Sequence, residues 1–267
     1  MPRPRRKIAF VLAASDHGTM IVNRFDYHMV SPTAGYGVGF QILETASYDL
    51  TEVEIALRLL EMRRQYRGDG VVGIDCGANI GVHAVEWARH MSQWGAVLAI
   101  EPQEPVYYAL AGNLAINNCF NARALHAAAG ATNGSMRIPR PDYLVPASFG
   151  SLELRQTATT EFIGQAIDYQ RPAAQVRALT LDSLGLSRVD LLKIDVEGME
   201  LDVLDGAREL IGAQHPIMII EQAKIDRDRL GAVLDGWGYR RFSFGLNVLA
   251  VHADDPSGSH ISVRDNP

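Results

Sequence analysis

The chain has 267 residues, 47% of them hydrophobic and 21% charged. That composition excludes a disordered, collagenous or repeat protein and leaves room for a large core without disulfides or structural metal. A net charge of −6, from 25 basic and 31 acidic residues, argues against a general phosphate-backbone binder. The two cysteines, Cys76 and Cys119, make no disulfide framework, so a reducing cytoplasmic compartment is expected.

The first residues imitate a signal peptide: Arg3, Arg5, Arg6 and Lys7 precede the apolar run Ile8–Ala14. That run is short, and a second strand-like run, Thr19–Asn23, follows a turn at Asp16-His17-Gly18. A β-hairpin is therefore expected. No apolar stretch approaches the roughly 20 residues of a membrane span. Residues 1–50 read as a β-rich extension punctuated by turn residues.

From residue 51 to 267 strands and helices alternate. Helices are expected at Glu52–Gln65, Ile80–Gln93, Glu104–Asn117, Met199–Ile211 and Asp226–Trp237, each with apolar residues at helical spacing or a terminal signal. Strands are expected at Val71–Asp75, Ala96–Ile100, Ala122–Ala127, Asp190–Ile194 and Pro216–Glu221, with a closing hairpin of Tyr239–Phe244 and Leu246–His252. The near-continuous apolar character of Asp190–Ile194 marks a buried parallel strand. The expected fold is α/β, a doubly wound, mostly parallel sheet. Residues 130–178 interrupt it as an insertion, a candidate substrate loop.

Ligands of such sheets bind beyond the carboxyl ends of the strands, where strand order reverses. The expected cofactor contacts therefore lie at strand ends: Asp75, Gly77, Ala78, Asn79 and Gly81 after the first strand, Glu101 and Pro102 after the second, Ala127 after the third, and Asp195 after the fourth. Glu101 stands 26 positions beyond Asp75, where a carboxylate can accept both hydroxyls of a ribose. The dinucleotide fingerprint G-x-G-x-x-G is absent, because the glycines run Gly73, Gly77, Gly81. Asp75 would repel a pyrophosphate but suits a ligand with an ammonium and a sulfonium, so S-adenosyl-L-methionine is the expected cofactor.

Three runs in order, Val72–Gly81, Ala99–Pro102 and Asn113–Asn118, resemble the FkbM-type S-adenosylmethionine-dependent methyltransferases. Leu179–Leu184 and Leu192–Glu200 are similar to that family's second half, so the resemblance covers roughly residues 70–222. It implies a seven-stranded class I methyltransferase domain and transfer to a hydroxyl of a sugar, polyketide or other small metabolite. Cys76 departs from the family pattern as a small buried side chain.

Candidate catalytic residues are Asp195, Glu197, Lys193 and Glu221. Lys193 sits in an apolar strand and needs a partner, for which Glu221 and Glu101 are candidates. Asp195 or Glu197 would take the acceptor's proton, although Glu197 and Glu200 would equally serve the turn of the following helix. His17, His28, His83 and His126 are weaker candidates for the base. No metal is expected, since H-E-x-x-H and an Asp-rich loop are both absent. Aromatic residues Phe25, Tyr27, Tyr36, Tyr143 and Phe149 are expected to wall the acceptor site. The expected partner is a small-molecule or saccharide acceptor, with no nucleic acid and no membrane; a homo-oligomer stays open. The alternatives are an NAD-dependent oxidoreductase, a nucleic-acid methyltransferase and a non-catalytic cofactor- or sugar-binding protein.

Overall fold

The computed structural model describes residues 6–171 and 174–261. The chain begins with a hairpin of β1 (Phe10–Ser15) and β2 (Gly18–Asn23), then a two-residue ladder of β3 (His28–Met29) and β4 (Gly35–Tyr36). The signal-like residues 1–5 lie outside the described residues, while the rest of the run, from Phe10, forms β1. Helix α1 (Val38–Thr45) follows, within the stretch that had read as strand and turn. It buries Val38 and Ile42 against β2, which is reason enough for a short helix to form there.

The alternating part runs α2 (Leu50–Arg67), β5 (Val71–Cys76), α3 (Val82–His90), β6 (Gly95–Glu101), α4 (Glu104–Ile116), β7 (Ala122–His126), and then the insertion with β8 (Ala128–Ala129), β9 (Gly134–Ile138) and β10 (Ala174–Leu179). It continues with β11 (Leu191–Ile194), α5 (Glu200–Asp205), α6 (Arg208–Gln214), β12 (Ile217–Glu221), α7 (Arg227–Gly236), β13 (Tyr239–Phe244) and β14 (Asn247–His252). The helix expected over Met199–Ile211 is two helices, broken at Gly206. A Cβ at Gly206 would stand 2.1 Å from the Gly130 carbonyl, so the break admits the insertion's backbone.

Seven strands form one sheet in the order β13-β14-β12-β11-β5-β6-β7, all parallel except β14, which pairs antiparallel with both neighbours. Alternate residues feed two cores. Val71, Leu191, Ile217 and Ile219 pack with α2, α3 and α4 on one face; Ile74, Cys76, Leu192, Ile194, Met218 and Ile220 pack with α5, α6 and α7 on the other. Cys76 is thus core, and both cysteines are free and buried. Strand order reverses between β5 and β11, and the expected ligand crevice opens there.

The hairpin is tied to α4 by asparagines one helical turn apart. Asn113 exchanges both backbone hydrogen bonds of Ile21, and Asn117 does the same for Thr19. The insertion is framed by a three-stranded sheet, β8-β10-β9, and its middle lies across the crevice. Buried Asp26 fastens it to the N-terminal segment, accepting from the Gly39 and Phe149 amides at 3.0 and 2.9 Å. Among the described residues no helix is long and apolar enough to cross a membrane.

Candidate active site

The loop after β5 turns on Gly77, whose φ of +83° favours glycine. Any Cβ there would sit 1.7 Å from the Asp195 carbonyl, so the loops after β5 and β11 meet backbone to backbone. The Gly77 and Ala78 amides both donate to the Ile100 carbonyl at 3.0 Å. Asn79, also left-handed at φ +50°, donates its amide to Glu101 Oε2 at 3.0 Å and accepts from the Ile80 amide at 2.7 Å. Gly81 serves packing: a Cβ would strike Leu110, and the residue lines neither cavity described below.

Glu101 is buried at the end of β6, with its second oxygen accepting from the Gln103 amide at 2.7 Å. Burial pushes its carboxyl up while the two amides pull it down, leaving it at about 8. A narrow slot opens beside it, lined by Pro102, Ala127, Leu152, Leu154 and Met199 among others, largely apolar walls that also carry Asp195 and Glu197. His126 stacks on Tyr107 at 5.1 Å and bonds the Pro102 carbonyl, outside the slot's lining.

The slot continues into a polar cavity of about 330 Å³. Asp75 lines it with both oxygens buried and unpartnered, and burial holds its carboxyl above the ordinary range despite Lys193. An orphaned carboxylate in a cavity calls for a donor from a ligand. The slot with the Glu101 carboxyl, the glycine turn that lets backbone approach, and the unsatisfied acid beyond it are groups that could hold S-adenosylmethionine.

Lys193 lines the cavity beside Asp75, its neighbour in register on β5. Its partners differ from the expected Glu221 and Glu101: Nζ lies 2.8 Å from Asp195 and 3.8 Å from Glu52 of α2. Residues 193 and 195 point to the same side of the strand, which brings them together, and α2 covers that face. Burial opposes its charge, but Asp195, Glu52 and Asp75 hold its ammonium well above the ordinary lysine range. Glu52, for which burial also works against charge, is drawn down to about 2 by Lys193 and His83.

Carboxylate oxygens of Asp195, Glu197 and Glu221 lie within 4.8 Å of one another. Glu197 pairs with Lys224 at 2.5 Å; burial first and Asp195 second push its carboxyl well above the ordinary range. Glu221 is raised to about 7 by burial, Asp195 and Glu200, and its Oε2 has no partner. Glu200 does the work of the helix turn instead, accepting from the Val196 and Gly198 amides.

Of the four histidines only His83 lines the cavity. His17 is bound to Glu86 and the Tyr48 amide, and His28 to Tyr36. Of the expected aromatic walls only Tyr36 faces the cavity, since Tyr143 and Phe149 pack on each other at 4.8 Å beneath it. Further lining residues are Tyr48, Asp49, Ser148 and Ser151. They come from loops with no motif, and Lys224, which also bonds the Ser151 carbonyl at 3.1 Å, had no signal beyond being one of few lysines.

The family model of the methyltransferase FkbM domain matches residues 75–244. The chain belongs to the FkbM methyltransferase family. Methyltransferase sdnD of Sordaria araneosa is 32% identical over 156 residues, 51% of this chain and 60% of that protein. Methyltransferase 1 of Beauveria bassiana (strain ARSEF 2860) is 29% identical over 147 residues, 50% of this chain and 57% of that protein. The matches thus span under two thirds of either relative. A crystal structure of Methyltransferase FkbM from Methylobacillus flagellatus KT overlaps 68% of this chain and 43% of its own, with 18% identity and a TM-score of 0.44. The sheet of this FkbM-family chain is the seven-stranded, mostly parallel sheet expected of the class I methyltransferases, and S-adenosyl-L-methionine is the cofactor that family and fold imply. The oxidoreductase alternative is not favoured.

Proposed function

We propose that the protein transfers a methyl group from S-adenosyl-L-methionine to a hydroxyl of a small polar metabolite or saccharide. The carrying observation is the cavity wall: beside a cluster of acids it presents the side chains of Tyr36, Gln41, Tyr48, Ser148 and Ser151, a polar lining that suits an acceptor able to hydrogen-bond rather than an apolar one. When bound, the cofactor supplies a methyl on a positively charged sulfur. Asp75, Gly77, Asn79 and Glu101 orient it, and the insertion over the crevice excludes water. A hydroxyl has a high pKa, so a base must accept its proton as the new bond forms. Asp195 and Glu197 stand at the meeting of slot and cavity and are assigned that role, with Glu221 beside them and Lys193 holding Asp195 in place.

The reading also takes residues 1–50 and the insertion 130–178 as the roof of a methyltransferase domain spanning 51–267, because both contribute cavity residues. Its test is incubation with methyl-labelled cofactor and parallel panels of saccharides, hydroxylated metabolites, peptides and RNA. Label in a saccharide or hydroxylated metabolite is expected. Transfer to peptide or RNA alone would overturn the reading.

A further inference from the structure

Gly77, Asn79, Gly150, Asp195 and Glu197 line both the slot and the cavity, so they mark the passage between them. A nucleoside held at Glu101 by its ribose would direct the group on its 5′ carbon toward that passage, and in the methyl donor this group is the sulfonium. The passage is crowded with acids. Asp195, Glu197 and Glu221 converge there, and among the described residues two ammoniums face them: Lys193 of β11 and Lys224 of the loop after β12.

Each ammonium is already shared. Lys193 also serves Glu52 of α2, itself 3.3 Å from His83 of α3. Lys224 also serves Glu161 of the insertion at 3.0 Å, which in turn accepts from Tyr36. Asp75 of β5 and Asp49 before α2 line the same cavity and add negative charge, while Glu200 of α5 is turned onto backbone amides. The acids around the passage outnumber the ammoniums that serve them.

We propose that Asp195, Glu197 and Glu221 form a constant-charge site that faces the donor's sulfonium before transfer and holds the acceptor's proton after it. The second half rests on the hydroxyl-acceptor reading above. In the step the sulfur–methyl bond breaks with its electron pair remaining on sulfur. The acceptor oxygen forms the new bond to the methyl, and its proton passes to one of the three carboxylates. A sulfonium becomes a neutral thioether as a carboxylate becomes a carboxylic acid, so the cavity keeps its charge.

This carries a signature that needs no acceptor. The donor's positive charge lowers the proton affinity of Glu197 and Glu221, whereas the neutral product S-adenosylhomocysteine leaves it high. Glu221 at about 7 and Glu197 above the ordinary range put the difference near neutrality. The product complex then holds more protons than the donor complex, and rising pH weakens product binding relative to donor binding by up to about tenfold per unit. Ribose contacts at Glu101 are common to both ligands and cancel in the ratio.

The experiment is calorimetric titration of S-adenosylmethionine and S-adenosylhomocysteine at pH 6, 7, 8 and 9, with Glu197→Gln and Glu221→Gln confirmed as folded by thermal melts. The ratio of product Kd to donor Kd is expected to rise by at least about tenfold across that range. At least one amide variant should flatten the rise, leaving only the slope of the ligands' own amines. A wild-type ratio constant within about twofold, or a wild-type slope in both variants, would overturn the proposal. A pH-dependent ratio in a protein that methylates no hydroxyl would retain the sulfonium half and contradict the hydroxyl-acceptor reading and the proton half.

Discussion

At Glu101 a strand end, a loop and the ligand slot converge on one carboxylate. Replacing it with glutamine turns an acceptor into a donor that faces the amide of Asn79 or Gln103. Affinity for S-adenosylhomocysteine should fall by about 10- to 150-fold, the equivalent of roughly 1.5–3 kcal/mol, and the melting temperature should fall with it. Calorimetry unchanged within about twofold would contradict the ribose assignment. Two glycines give a matched comparison. Gly77→Ala meets both a left-handed φ and the Asp195 carbonyl, whereas Gly198→Ala, at φ +93°, meets nothing nearer than 3.7 Å. The second should cost about 1 kcal/mol and the first well over that, with loss of cofactor binding; melting the two variants side by side checks it. The strand-end acids were legible in the sequence because each sits next to a run whose period identifies it. Ser148, Ser151 and Lys224 were not, since a loop folded over a site leaves no periodic trace.

Among the elements, α2 holds two polar residues on its buried side for different ends. Glu52 pairs with the cavity residues Lys193 and His83, while Arg63 is buried between Asp190, at 3.2 Å, and Asp255 near the end of the described chain. Arg63→Met would leave buried Asp255 without its guanidinium, although Asp190 keeps Arg188 at 2.7 Å. It should destabilise the fold by about 3–5 kcal/mol, read by denaturant unfolding, while S-adenosylhomocysteine affinity in the folded protein stays within about threefold. A loss confined to ligand binding would contradict the structural role. The succession of strands along the chain could be read from apolar runs, but helix ends could not. The pattern over Met199–Ile211 is continuous, and only the approach of Gly130 to Gly206 explains the break. Helix α1 was missed because its eight residues are framed by turn-forming glycines and its apolar positions are satisfied by the distant β2. The partners of Lys193 were missed for a related reason, since Glu52 reaches it only through the docking of α2 on the sheet.

On the scale of the whole molecule, the crevice and the segments packed over it hold acids whose ionisation burial opposes. Asp26, Glu221 and Glu101, raised to about 6, 7 and 8, contribute stability that is present below their unfolded values and lost as pH rises through the folded ones. The ligand-free protein should therefore melt lower at pH 8 than at pH 6, and thermal scans across that range check it; a higher melting temperature at pH 8 would contradict the burial of these groups. Cofactor binding should narrow the difference, because ribose hydroxyls donating to Glu101 favour its charged form. The central claim is that the crevice between the loops after β5 and β11, bounded by Asp75 and Glu101, holds S-adenosylmethionine. Its most direct test is calorimetric titration of the purified protein with S-adenosylhomocysteine and, separately, NADH. One-to-one binding of S-adenosylhomocysteine at micromolar affinity or tighter is expected, with no heat from NADH; silence with the first and saturable binding of the second would contradict it.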